Sequence, residues 1–192
     1  MNPHRIVSIS GPLGKDGECL DRGAVTLSRS TAGPIIQVQD HPIVSVSCVT
    51  LSASPGTTGI SGIATRQFAI VDYGRMRSGA MPQGTHVSAG EASKANCHSE
   101  IEIVGGAAVH ASAGSLSSFS LGCNIAVVAP GLAFTSFVIA TTKSVFDASS
   151  AVFTGEAVAR KKYIVHDSNL ALPATGAIPG NDFDLGAGAV VH

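Results

Sequence analysis

The chain has 192 residues, enough for one hydrophobic core with its connections. Hydrophobic residues make up 44% but aromatic residues only 5%, with no Trp, and charged residues 13%, about half the roughly 25% of an ordinary domain. A net charge of -1 without a basic stripe argues against binding to a phosphate backbone, and so sparse a charge leaves surface suited to burial against other subunits.

Met1 to Ser10 lacks the continuous apolar segment of a signal peptide, so export by that route is not expected. Its second half, 6–10, alternates apolar and polar residues, the period of two that sends side chains to opposite faces of a strand. Gly11-Pro12-Leu13-Gly14-Lys15-Asp16-Gly17 follows with a Gly-Lys pair. The phosphate-loop spacing is absent and Asp16 stands where a magnesium-binding hydroxyl belongs, so the segment reads as a polar turn. Further strands are expected at 24–28, 35–39 and 44–48, and at 66–71, where Phe68 and Ile70 would share one face. Gly33-Pro34, His41-Pro42, Ser54-Pro55-Gly56 and Met81-Pro82 read as turns between strands.

Residues 74–96 lose the alternation and are rich in Gly, Ser, Ala, Met and Arg, which predicts a long loop that orders against a partner. Glu100-Ile101-Glu102-Ile103 restores it, charged outward and apolar inward. From Val104 to Thr142 thirty-nine residues pass without Asp, Glu, Lys or Arg. Strands are expected here at 107–111, 116–121, 125–129 and 133–140, the last two as a hairpin turning at Pro130-Gly131. Residues 123–140 approach the ~20 needed for a membrane helix, but Pro130-Gly131 breaks the middle, and Val127, Val128, Val138 and Ile139 suit paired strands.

The nearest approach to a helical pattern, 149–161, is weakened by Gly155, so little helix is expected. A strand at 162–166 precedes 170–192, where Pro173, Gly176, Pro179, Gly180, Gly186 and Gly188 predict an extended C-terminal arm. The expected fold is all-β: an antiparallel β-sandwich or barrel, jelly-roll-like, with long loops. Residues 1–169 would form a single β-rich domain, with 74–96 as its long loop, and 170–192 the arm.

No residue is assigned a catalytic, cofactor-binding or metal role, no cofactor is expected, and the chain is read as not an enzyme. Cys19, Cys48, Cys97 and Cys123 contain no CxxC pair and, without a secretory signal, read as reduced, buried small hydrophobes. His86, His98 and His110 recur every twelve residues with Cys97 and Cys123 nearby, but close ligand pairs are missing, so they read as surface or interface histidines rather than a zinc site. Asp147, Asp167, Asp182, Asp184, Glu100, Glu102 and Glu156 show no spacing that selects an acid–base couple. Asn181-Asp182-Phe183-Asp184 lacks the remaining ligands of a calcium loop. Arg160-Lys161-Lys162 and the set Arg66, Arg75 and Arg77 read as solvated or interface charges.

In composition and layout the chain resembles the small β-structured virion proteins of tailed bacteriophages, especially capsid decoration or cement proteins. The resemblance rests on no motif and transfers no functional residue. It implies a homo-oligomer, expected as a trimer, that bridges neighbouring copies of a major capsid protein, with no nucleic-acid or membrane partner. Its place would be the virion, assembled in the host cytoplasm, with 74–96 and 170–192 clasping neighbours. Alternatives are a tail, fibre or coat subunit, or a soluble ligand-binding β-sandwich. Tyr73 and Tyr163 as the only Tyr residues provide poorly for sugar stacking in the latter.

Overall fold

A computed structural model describes residues 6–16 and 18–192. Met1 to Arg5, half of the segment read as lacking a leader, and Gly17 of the polar turn lie outside the described residues. The strands come in triplets. The first turn of chain supplies β1 (Ile6–Ser10), β2 (Thr26–Arg29) and β3 (Gly33–Val38), and the second β4 (Ile43–Ser47), β5 (Thr50–Ala53) and β6 (Ile60–Thr65). The third holds β7 (Ile70–Gly74), β8 (Met76–Ser78) and β9 (Met81–Ala89), and the fourth β10 (Lys94–Cys97), β11 (Ile101–Ile103) and β12 (Ala107–Ala113). The fifth holds β13 (Ser118–Leu121), β14 (Asn124–Val127) and β15 (Leu132–Thr141), and the sixth β16 (Val145–Asp147), β17 (Val152–Thr154) and β18 (Ala157–His166). The chain ends with β19 (Asn169–Ala171), β20 (Asp182–Leu185) and β21 (Val190–Val191).

Each strand pairs in parallel with its counterpart one turn away, building three sheets of eight, six and seven strands headed by β1, β2 and β3. The register runs Ile6, Ile43, Ile70, Lys94, Ser118, Val145, Asn169, Val190, so the first turn takes 37 residues and each later one 21 to 27. The molecule is a parallel β-solenoid of about seven turns.

This corrects the expectation of an antiparallel sandwich or barrel. Alternation with a period of two is the same in parallel and antiparallel strands, so direction is decided by the connections. Residues 125–129 and 133–140 form no hairpin: after β14 the chain turns a corner, and β15 pairs with β12 and β18 in another sheet. Residues 74–96, expected as a loop, carry β8, β9 and most of β10. Residues 170–192, expected as an arm, add β20 to β18 and β21 to β19, with Leu170 and Ile178 buried.

Two prolines read as turn signals lie inside strands, where the missing N–H does least harm. Pro34 is on β3, the edge of its sheet, and Pro82 sits in an outward excursion of β9, where four residues from Met81 to Thr85 span two from Ala107 to Val109. Gly84 belongs to that excursion because a Cβ there would lie 1.7 Å from the Ile60 carbonyl oxygen.

Three close walls explain the composition. Inward positions hold Ala69, Ala95, Ala111, Ala113 and Ala140, with a few rings stacked turn on turn, Phe119 lying parallel to Phe146 at 4.8 Å and edge-on to Tyr73 at 6.2 Å. In the charge-free run from Val104 to Thr142, 16 residues are buried in this interior and the others lie on outward strand faces and corners. No described helix is long and apolar enough to cross a membrane.

The cysteines are paired, contrary to the reduced reading. Cys19–Cys48 and Cys97–Cys123 are 29 and 26 residues apart, about one turn, and stacking brings their Cα atoms to 5.4 and 5.7 Å. The first bond, with ion pairs from Arg22 to Glu100 at 2.6 Å and to Glu102 at 3.1 Å, holds the connection between β1 and β2 against the body.

Candidate functional site

One corner of the solenoid repeats a conformation that side chains rarely adopt. Where the chain passes from the seven-stranded to the eight-stranded sheet, successive turns place Asp40-His41, Gln67-Phe68, Glu91-Ala92, Ser115-Leu116 and Thr142-Lys143 at φ between +50° and +71°. Left-handed backbone costs a non-glycine residue about 1–2 kcal/mol, and the cost is highest for bulky side chains. The corner is held from within by serines. The Ser93 Oγ–H donates to the Thr65 carbonyl and accepts from Gly90 N–H, while the Ser117 hydroxyl repeats this with Ala89 and Gly114, all at 2.9 to 3.1 Å. Ser144 and Ser168 continue the buried column, the Ser144 hydroxyl donating to the Ala113 carbonyl.

The second residue of each pair points outward, and backbone bonds stack the pairs: the N–H of His41, Phe68, Ala92, Leu116 and Lys143 each donates to the carbonyl of the pair in the next turn. Phe68 is 61% and Leu116 66% exposed, and His41 stacks on Phe68 at 5.2 Å. Between the two large side chains the short Ala92 leaves a hollow of about 410 Å³, lined also by Gln67, Glu91, Ser115 and Thr142. Phe68 was expected in a strand sharing one face with Ile70; it stands at the corner instead, and the strand begins only at Ile70.

A second hollow, about 560 Å³, lies on the outer face of the seven-stranded sheet beside the excursion of β9, floored by Gly106, Ala108 and Ala133, with Gln83 and Arg160 at its rim. Its lining is small and open.

His86 and His110, one turn apart, are both buried, against the surface reading, with Nδ1 atoms 3.1 Å apart. Desolvation pushes the His86 imidazole down to about 4 and His110 well below the usual histidine range, the latter helped by the neighbouring His86. His98 instead points outward, 3.1 Å from Asp72.

The acidic candidates do not converge. Glu102 bonds Arg77 as well as Arg22, and that bond raises the Arg77 guanidinium above its ordinary value. Asp182 pairs with Lys161 at 3.0 Å and is lowered by it, and Asp184 lies 3.5 Å from His166. Asp147 is lowered by the bonds it accepts from Ser149. Asp167 sits at the corner with φ +49° and Glu156 is exposed. Residues 181–184 enter β20 rather than a calcium loop. Among the described residues no three His, Cys, Asp or Glu side chains gather in a group able to hold a metal.

The ridge escaped sequence reasoning, although a signal was present. Gly90-Glu91-Ala92-Ser93 and Gly114-Ser115-Leu116-Ser117 share a pattern 24 residues apart, the same interval as His86 and His110. Fold and site together define a class, a parallel β-solenoid with an apolar corner ridge. Compared with protein-family models, characterised proteins and solved structures, the chain has no significant match.

Proposed function

We propose that this chain is a non-enzymatic structural protein of a virion that works by associating with copies of itself. The observation that carries the reading is the exposed ridge on which Phe68 and Leu116 flank Ala92, two large apolar side chains displayed outward on backbone that L-residues avoid. Strain of this kind is retained where a surface has a use for it. The weak surface charge supports the same reading, because little repulsion opposes contact between copies.

Form bears on which virion component is meant. Seven turns at the ~4.8 Å strand spacing make a short rod of roughly 30 Å. A rod built on a single axis suits a tail or fibre component better than a shell-bridging decoration protein. The test is antibody labelling of particles released from cells that carry the gene, viewed by electron microscopy. Label on tails or fibres is expected; label on the shell would restore the decoration role, and particles free of the protein would overturn the virion reading.

A further inference from the structure

We infer that the corner ridge is a two-fold, antiparallel interface with a second copy of this chain; this rests on the self-association reading above and names its surface. The order of residues along the ridge is the argument. From one end it runs Asp40-His41, Phe68, Ala92, Leu116, Lys143, then Asp167, and Ala92 is the middle of the five turns from Asp40 to Lys143. Rotation about a two-fold axis through Ala92 sets Phe68 against the second copy's Leu116, and Asp40 against its Lys143. Both charged groups are exposed, and no described residue pairs with either.

A parallel arrangement, such as a trimer about a common axis, sets Asp40 near Asp40 and Lys143 near Lys143. Like charges brought together select against it, whereas the antiparallel arrangement joins two opposite pairs. An isologous contact also closes on itself, so the ridge is used up in a dimer and does not propagate. The hollows over the two Ala92 residues give Phe68 and Leu116 of each copy room to lean across. These four side chains are the apolar anchors, and Glu91 beside each Ala92 is paired with Arg66 of its own chain at 3.9 Å.

The test uses the full chain with its disulfides intact. Asn tolerates left-handed backbone, so the variants Phe68→Asn and Leu116→Asn keep the corner while removing the apolar contact. In sedimentation equilibrium the wild-type chain is expected as a dimer at micromolar concentration, and the double variant as a monomer with an unchanged circular dichroism spectrum. Orientation is read by cross-linking. A mixture of Phe68→Cys and Leu116→Cys chains should join predominantly one to the other, whereas predominant joining of Phe68→Cys to itself would overturn the antiparallel arrangement. Exchanging charges gives a second reading: Asp40→Lys or Lys143→Asp alone should weaken the dimer about tenfold, and the two together restore it. A wild-type oligomer that survives Phe68→Asn/Leu116→Asn would overturn the ridge as the interface while leaving self-association standing. A wild-type monomer at 100 μM, ~tenfold or more above the usual working range, would overturn both.

Discussion

His86 Nδ1 lies 3.1 Å from His110 Nδ1 inside the solenoid, and the partner of the other His86 nitrogen decides which ring donates. His86 Nε2 is 3.0 Å from the Gly79 carbonyl, which can only accept, so Nε2 carries the hydrogen and Nδ1 of the neutral ring is bare. The His110 Nδ1–H therefore donates to His86. His110 also stacks on Phe137 at 4.8 Å and His86 meets Phe134 edge-on, so the pair is held neutral in apolar surroundings.

Stability should consequently fall in acid. In the unfolded chain both histidines take up protons near pH 6.5, while in the folded chain His86 resists until about pH 4 and burial holds His110 well below its ordinary value too. The unfolded state then holds more protons between about pH 6.5 and 4, so this contribution is full above the unfolded value and declines as pH drops through that window. The loss from His86 alone amounts to about 3 kcal/mol. Thermal melting of wild type at pH 7.5 and 4.5 should differ more than that of His110→Phe; equal pH dependence would contradict the buried pair.

Reduction should weaken the fold without abolishing it. The bond from Cys97 to Cys123 closes a loop of 26 residues, and opening such a loop costs about 3 kcal/mol in the chain-entropy account. Native protein should show no titratable thiol, and the Cys97→Ser/Cys123→Ser variant should melt several degrees lower. A free thiol in the untreated chain would refute the pairing.

The serine column makes a local prediction. Ser117→Ala takes one partner each from the Ala89 carbonyl and the Gly114 N–H, which keep the backbone bond between them, at a cost of about 0.5–1.5 kcal/mol. Ser118→Ala, on a half-buried neighbour whose side chain makes no hydrogen bond among the described residues, serves as the control. Denaturant titration distinguishes the two, and equal stabilities would show that the ladder contributes nothing.

Removing 170–192 should destabilise the body rather than trim a free arm. The cut takes away fully buried Leu170, nearly buried Ile178, and the strands β20 and β21 that cover β18 and β19. Phe183 stacks on Tyr163 at 5.5 Å, and its loss bares that ring. A truncated chain with unchanged melting temperature would reinstate the arm.

Some of this molecule was legible in its residues. Glu100-Ile101-Glu102-Ile103 and Val44-Ser45-Val46-Ser47 announce strands with one buried face, and the observed strands Ile101–Ile103 and Ile43–Ser47 lie there. Pattern reading failed at Phe68 and Leu116, which were read into strands but stand at corners where the backbone turns left-handed. It failed again over 74–96, because strands that stack on both neighbours need no alternation loud enough to be heard in one segment alone.

By itself, then, the sequence determined an all-β chain of short strands, lean in aromatics and charge, because alternation, Gly-Pro punctuation and composition act locally. Only the tertiary structure decided that the strands run parallel, that His86 meets His110, that Cys97 meets Cys123, and that Phe68 and Leu116 share a ridge. Each of these relations joins residues a full turn or more apart, and the turn length varies between 21 and 37, so no single interval in the sequence marks them all. The contacts exist because one turn lies on the next.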